Sequence, residues 1–123
     1  MKRLKDQPGW KSLLESWKAT QDSLREQIII QPFKGLPRLI AGGDAAFSKD
    51  DERVFAVALV WDRIENRVVE IARTVRRIEY PYIPGYLSFR EGPALQEAIA
   101  QLNTPFEIIC FDGQGMAHPR RCG

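Results

Sequence analysis

The sequence contains little of what zinc sites, disulfide frameworks and membrane spans require. Its 123 residues include 2 cysteines and 1 histidine, too few for a site built from several Cys and His ligands. No apolar run comes near the length of about 18 residues that a membrane span requires, and no apolar stretch of signal-peptide length follows the charged N-terminus. We therefore expect a reduced, cytoplasmic protein with no membrane partner.

The chain also has little excess of charge of either sign. The 18 basic and 16 acidic residues leave a formal net charge of +2, so any surface that attracts nucleic acid has to be local. Hydrophobic residues make up 44% and charged residues 28% of the chain, which is typical of a globular protein. We expect residues 1–123 to form a single domain, because this length suits one hydrophobic core.

The hydrophobic pattern predicts two helices and four strands. Trp10, Leu13, Leu14 and Trp17 recur with the helical period, which predicts an amphipathic helix over about residues 9–28. The apolar runs and turn residues that follow predict, in order, strands at 39–47, 54–61 and 67–76, a helix ending before Asn103, and a strand at 106–111.

This order predicts an α/β fold, a β-β-β-α-β mixed sheet preceded by a helix, with the sheet and crossover helix over about residues 38–112. Short turns join the first three strands, which favours an antiparallel meander. A strand, a crossover helix and a new strand usually form a parallel pair, so we expect the fourth strand beside and parallel to the first. Asp44 and Asp112 would then lie at the same edge of one sheet.

Two aspartates at one sheet edge point to a metal site. Like carboxylates repel one another unless a cation lies between them. Mg²⁺ takes oxygen ligands, and a bound metal can activate water for hydrolysis of a phosphodiester. The alternative is structural: Asp44 follows Gly42 and Gly43, Asp112 precedes Gly113, and Asp and Gly together are common turn residues.

Glu91 is the third candidate, and two interpretations remain open. Ser88 and Glu91 match a capping box, in which the glutamate only closes the first turn of a helix. Pro93 instead suits the first helical position with Gly92 as the N-cap. Glu91 would then be free to point into the site.

The segment EYPYIPGYLSFRE is the least ordinary stretch. Pro81 and Pro84 stiffen the backbone around Tyr82 and Ile83, and Gly85 permits a sharp turn. Such a tip usually packs on a core, but a nucleic-acid-binding protein can insert it between bases as a wedge.

His118 has three interpretations from sequence. It could be a base, a phosphate contact or a polar surface residue. Its neighbours Arg120 and Arg121 favour the phosphate contact.

Three motifs together resemble the endonuclease V family, repair nucleases that act on deaminated purines, chiefly inosine, in DNA and in some members RNA. They are A-G-G-D-A-A-F around Asp44, P-Y-I-P-G-Y-L-S-F-R-E from Pro81 to Glu91, and F-D-G-Q-G-M-A-H-P-R-R from Phe111 to Arg121. The resemblance implies an RNase H-like fold. It also implies Mg²⁺-dependent hydrolysis of a phosphodiester one nucleotide to the 3′ side of the lesion, leaving 3′-hydroxyl and 5′-phosphate ends.

The resemblance assigns roles to residues of this chain. Asp44, Glu91 and Asp112 would be the catalytic, metal-binding carboxylates, with Mn²⁺ as a substitute for Mg²⁺. The residues expected to bind the inosine-containing strand are Tyr82, Ile83, Leu87, Gly113 and His118. Within this set, Tyr82 would fill the gap left by the flipped base, and Leu87 with Gly113 would line its pocket.

The chain departs from the family pattern in two ways. Gln114 stands where the family usually has His, which keeps a hydrogen-bond donor but removes a titratable group. The resemblance also covers only the N-terminal half of the family's domain, whose later part supplies a lysine and another acid. We therefore expect a truncated form, with a fourth strand exposed for self-association.

Two alternatives to an active endonuclease remain. A non-catalytic nucleic-acid-binding module would keep the wedge and the arginines. A plain α/β domain would have a metal-free turn at each aspartate.

Overall fold

The computed structural model describes residues 6–123. Its helices and strands follow in the order α1 (Trp10–Gln27), β1 (Leu39–Phe47), β2 (Arg53–Asp62), β3 (Arg67–Arg77), α2 (Leu87–Ala100) and β4 (Ile108–Phe111). The four strands form one sheet in the order β3-β2-β1-β4. The predicted α/β class and the β-β-β-α-β order are confirmed.

Strands β1, β2 and β3 form the predicted antiparallel meander. The sequences of β2 and β3 are rich in β-branched and aromatic residues, which favour pleated strands. Along β2 the side chains alternate between exposed and buried for most of its length, as expected when one face of a sheet packs on a core. The turn from β2 to β3 ends at Asn66, whose φ of 53° is in the left-handed region that asparagine tolerates.

Strand β4 lies parallel to β1, as the crossover rule predicts. The register runs from Ile40 opposite Ile108 to Gly43 opposite Phe111. The strand starts at Ile108, two residues later than predicted. It is an edge strand of the four-stranded sheet formed by residues 6–123, and self-association through this edge stays a prediction.

The hydrophobic core lies between the sheet and α2. Val54, Ala56 and Ala58 of β2 pack with Ala94 and Ala98 of α2, and the four alanines are at most 1% exposed. Such small side chains allow the helix backbone to approach the sheet closely.

Helix α2 begins earlier than the proline suggested. Its first residue is Leu87, and Pro93 lies inside the helix, so the expectation that Gly92 caps a helix starting at Pro93 is wrong. A proline deletes one intrahelical hydrogen bond, but Phe89, which precedes Pro93 in the helix, stacks on Trp17 with ring centroids 4.7 Å apart and favours the earlier start. Tertiary packing therefore decides where this helix starts.

A carboxylate of β3 holds the chain after α2. Glu70 accepts hydrogen bonds from the backbone N–H groups of Asn103, at 3.0 Å, and Thr104, at 2.7 Å. These bonds hold the pKa of Glu70 below its usual value, because they stabilise the charged carboxylate. The turn that leads into β4 is thus anchored to the opposite edge strand.

Two compact units make up the chain. The first contains the described residues up to Gln31 together with Glu79–Arg90 and Gly113–Gly123. The second contains Pro32–Ile78 and Glu91–Asp112 and includes the whole sheet. The single domain over residues 1–123 stays a prediction. In the part of the chain that the structure describes, no helix has the length and apolar character needed to cross a membrane.

The first unit is held together by aromatic side chains. Trp17 of α1 is 8% exposed. It stacks on Phe89 with ring centroids 4.7 Å apart and meets the edge of Tyr80 at 4.9 Å. Contacts of this kind add to the burial of the rings, so α1 and the segment around residue 85 form one packed body.

Candidate active site

Asp44 and Asp112 follow the last register pair of β1 and β4. Gly43 lies opposite Phe111, and each is followed directly by an aspartate. Both aspartates are exposed. The Asp44 Oδ1 atom accepts a hydrogen bond of 2.8 Å from the Ala45 backbone N–H. The parallel pairing thus brings the two carboxylates to the same edge of the sheet, as expected, with Asp44 inside β1 and Asp112 directly after β4.

Glu91 lies in α2 and is partly buried. Its pKa is raised above the ordinary value because burial disfavours the charged form and because the negative charges of Asp44 and Asp112 repel it. The three carboxyl groups that the sequence singled out therefore interact electrostatically.

The donor set suits a hard divalent cation. Asp44, Glu91 and Asp112 offer only oxygen atoms, the ligand type that Mg²⁺ prefers, and a cation would relieve the repulsion that raises the pKa of Glu91. Among residues 6–123, no three His, Cys, Asp or Glu side chains are grouped closely enough to hold a metal ion. Metal binding by the three carboxylates stays a prediction.

The Pro81–Pro84 tip exposes an aromatic ring. Tyr82 is 56% exposed, whereas Ile83 is only partly exposed. The turn closes through a 2.9 Å hydrogen bond from the Tyr86 N–H to the Ile83 carbonyl. Gly85 follows with a φ of +87°, a conformation that suits glycine. The expected sharp turn is confirmed, and it leaves Tyr82 available to a partner.

His118 is buried rather than a surface residue. It is 4% exposed, so the interpretation as a polar surface side chain is wrong. Its Nδ1 accepts a 3.0 Å hydrogen bond from the Arg120 backbone N–H, which requires the proton on Nε2 in the neutral ring. Nε2 then donates to the Gly85 carbonyl at 2.9 Å. Both ring nitrogens therefore have partners within the first unit.

Gly113 and Gln114 lead into a short hydrogen-bonded loop. Gly115 and Gly123 exchange two backbone hydrogen bonds, at 3.0 and 3.1 Å. A Cβ on Gly113 would lie 3.2 Å from the Gly123 carbonyl oxygen, so this loop favours a glycine. Gln114 is exposed and precedes the 3₁₀ turn Gly115–Ala117. Its polar amide is therefore accessible.

The predicted residues divide cleanly between the two units. The three carboxylates belong to the second unit. The residues expected to bind the strand all belong to the first unit: Tyr82, Ile83, Leu87, Gly113 and His118. Each unit thus holds one complete predicted set.

Sequence reasoning missed Gln21. It is 4% exposed, and its amide Nε2 donates to the Gly85 carbonyl at 2.8 Å. One signal was present, because Gln21 follows Trp17 by four residues and thus lies on the buried face of α1. A polar residue on an apolar helical stripe needs a hydrogen-bond partner, but the sequence does not show which one.

Comparison with known proteins identifies the family of the chain. The family model for Endonuclease V matches residues 22–123. An Endonuclease V from Roseiflexus sp. (strain RS-1) is 42% identical over 118 residues, which cover 96% of this chain and 52% of that protein. The chain therefore spans about half the length of this relative.

Solved structures of the family match as well. The Endonuclease V from Streptomyces avermitilis superposes with a TM-score of 0.80 at 38% identity, covering 89% of this chain and 49% of that one. The Ciona intestinalis Endonuclease V, solved with a 24mer DNA containing an inosine followed by a ribo-adenosine, gives a TM-score of 0.78 at 26% identity. The match covers 91% of this chain and 51% of the Ciona chain.

Proposed function

Since the chain belongs to the endonuclease V family, we propose that it serves a metal-dependent endonuclease activity on inosine-containing strands. The substrate is DNA carrying a deaminated base, with RNA as the alternative. The bond hydrolysed is the phosphodiester to the 3′ side of the lesion. The Ciona relative was solved with inosine-containing DNA, which supports this substrate class.

The parallel register of β1 and β4 carries the proposal, because it places Asp44 and Asp112 directly after the paired residues Gly43 and Phe111, and the raised pKa of Glu91 supports it. Carboxylates on β1, directly after β4 and on α2 concentrate negative charge, which favours the binding of a cation. When bound there, Mg²⁺ or Mn²⁺ would activate water and screen the charge that develops on the leaving oxygen. Asp44, Glu91 and Asp112 would hold the ion by their oxygen atoms.

The exposed Pro81–Pro84 tip would recognise the lesion. Tyr82 presents an exposed aromatic ring between two prolines, and such a ring can fill the gap left when a base leaves the stack. Leu87 is 39% exposed, and we propose that it contacts the displaced base together with Gly113.

We also propose a cytoplasmic location, which the free thiols of Cys110 and Cys122 support.

A nicking assay with carboxylate variants tests the activity. The substrate is a labelled DNA strand with one deoxyinosine, incubated with Mg²⁺ or Mn²⁺. Asp44→Asn and Asp112→Asn each remove a negative oxygen donor, so we expect product formation to fall at least about 100-fold. Glu107→Gln is the matched control, because Glu107 is exposed and lies just before β4 whereas Asp112 lies just after it.

Three outcomes separate the candidate functions. Metal-dependent product in wild type and its loss in both Asp variants supports the endonuclease. Equal cutting by wild type, Asp44→Asn and Asp112→Asn refutes the site assignment. Inosine-dependent binding in a gel shift with no product at any metal concentration favours the binding module. A matched strand carrying riboinosine reports the preference between DNA and RNA.

A further inference from the structure

The carbonyl oxygen of Gly85 accepts three hydrogen bonds. The donors are Gln21 Nε2 at 2.8 Å, His118 Nε2 at 2.9 Å and Arg120 Nη2 at 2.9 Å. A carbonyl oxygen has two lone pairs, so three side-chain donors saturate it. The donors come from α1 and from the segment after β4, far from residue 85 in sequence. One backbone atom is thus held from two directions.

The donors are also bonded to one another. Arg120 Nε donates to Gln21 Oε1 at 2.5 Å, and the backbone N–H of Arg120 donates to His118 Nδ1 at 3.0 Å. The Arg120 guanidinium lies over the Tyr86 ring, 4.4 Å from its centroid. A network of this kind, in which the Gln21 and His118 side chains are buried, fixes side-chain positions more firmly than isolated pairs do.

We propose that Gln21 and Arg120 are positioning residues that hold the Gly85 turn and thereby aim Tyr82 at the strand. This inference rests on the proposed function, because it gives Tyr82 a wedge role. Arg120 then acts through the loop and not as a phosphate contact. Its guanidinium is already committed to Gln21, to Gly85 and to the face of Tyr86.

The geometry at Gly85 supports the same role. A Cβ on this residue would lie 2.6 Å from Arg120 Nη2 and 3.6 Å from His118 Nε2. The Arg120 and His118 side chains therefore lie directly against the backbone of Gly85, which follows Pro84. Three residues before Gly85, Tyr82 is 56% exposed, so the turn is anchored at its base and open at its tip.

Amide hydrogen exchange of residues 80–86 in the 123-residue chain tests the anchoring without any nucleic acid. Gln21→Met keeps the side-chain length but removes the amide, and Arg120→Lys keeps the charge but removes the planar fork. We expect exchange in this segment to become at least about fivefold faster in each variant, the factor that corresponds to one lost net hydrogen bond. Exchange within residues 54–60 reports any general loss of folding.

Matched controls separate anchoring from a general effect of these side-chain types. Gln101→Met and Arg121→Lys change the same residue types at exposed positions and should leave exchange of the turn unchanged. Gly85→Ala should also speed exchange of the turn, because its Cβ would displace the Arg120 guanidinium. Wild-type exchange of residues 80–86 in Gln21→Met and Arg120→Lys would overturn the proposal.

A strand with a fluorescent adenine analogue beside inosine reports base unstacking. Wild type should raise its fluorescence on binding, and Tyr82→Ala should not. We expect Gln21→Met and Arg120→Lys to lose most of this rise, while the salt dependence of affinity matches that of wild type. A phosphate role for Arg120 predicts the reverse: a normal rise for Arg120→Lys and a change in the salt dependence for Arg120→Met.

Hydrogen exchange and strand fluorescence test the positioning role and the wedge role independently. If wild type and Tyr82→Ala give the same fluorescence on inosine-containing strands, the proposed wedge is wrong, and the exchange data alone then decide whether Gln21 and Arg120 hold the turn. If Tyr82→Ala loses the rise but Gln21→Met and Arg120→Lys retain it, the positioning role is wrong and the proposed function stands.

Discussion

Gly43 and Phe111 face each other across the parallel pair of β1 and β4, and the Phe111 ring occupies the space beside the glycine. A Cβ on Gly43 would lie 2.9 Å from Phe111 Cε1 and 3.4 Å from Leu95 Cδ2. Gly43 therefore leaves the space that the Phe111 ring fills, just before Asp44 and Asp112 along the two paired segments.

Gly43→Ala should therefore destabilise the protein. The new methyl group has to displace the Phe111 ring, which is 51% exposed and can rotate towards solvent, so we expect a loss of about 1 kcal/mol in the free energy of unfolding. Gly42→Ala is the control, because its nearest neighbour would be the Cys110 carbonyl oxygen at an ordinary 3.9 Å. Urea unfolding that finds Gly43→Ala as stable as Gly42→Ala would contradict this account.

The two faces of the sheet should respond differently to the same truncation. Val60 is 0% exposed and Val75 is 53% exposed. Removing two buried methyl groups in Val60→Ala should lower the free energy of unfolding by about 2 kcal/mol. Val75→Ala should change it by less than about 0.5 kcal/mol. Thermal or urea unfolding measures both, and equal losses would mean that the two positions are buried alike in solution.

Pro93→Ala should stabilise α2. Pro93 is exposed and lies inside the helix, so the substitution restores an intrahelical donor without removing core packing. Greater flexibility of the unfolded chain offsets part of the gain, and we expect a net rise of about 1 kcal/mol in unfolding free energy. Pro105→Ala, at an exposed position outside the helices and strands, should give no such rise. A loss of stability in Pro93→Ala would show that the proline fits its place in the helix.

Acid should unfold the protein partly through Asp62. Hydrogen bonds from the Arg38 guanidinium, and then from the Glu65 and Ile64 N–H groups, lower the pKa of Asp62 to about 2. A folded pKa below the unfolded value of about 3.9 stabilises the fold above that pH. This contribution is lost as the pH falls from about 4 to about 2.

Urea unfolding between pH 7 and pH 2 tests this linkage. Asp62→Asn should be less stable than wild type at pH 7, and the difference should shrink below about pH 4. Glu107→Gln changes an exposed carboxylate and is the control. A constant difference between wild type and Asp62→Asn across the whole range would exclude Asp62 as the titrating group.

The sequence predicts the sheet better than it predicts the polar contacts. Apolar runs and short turns were sufficient to predict the meander, and the crossover rule correctly predicted that β4 lies beside β1. The predicted start of α2 was wrong, because the local preference of Pro93 is weaker than the packing of Phe89, which precedes it in the helix, on Trp17. The pairing of Gln21 with Arg120, which are 99 residues apart, follows from the fold and from no local pattern.

The Glu70 contact bears on the order in which the sheet is completed. The meander closes through short turns, which form quickly. The Glu70 carboxylate reaches its partners, Asn103 and Thr104, across 33 or 34 residues that contain all of α2. We therefore expect β4 to join last, and during synthesis the edge of β1 stays open until this turn has left the ribosome.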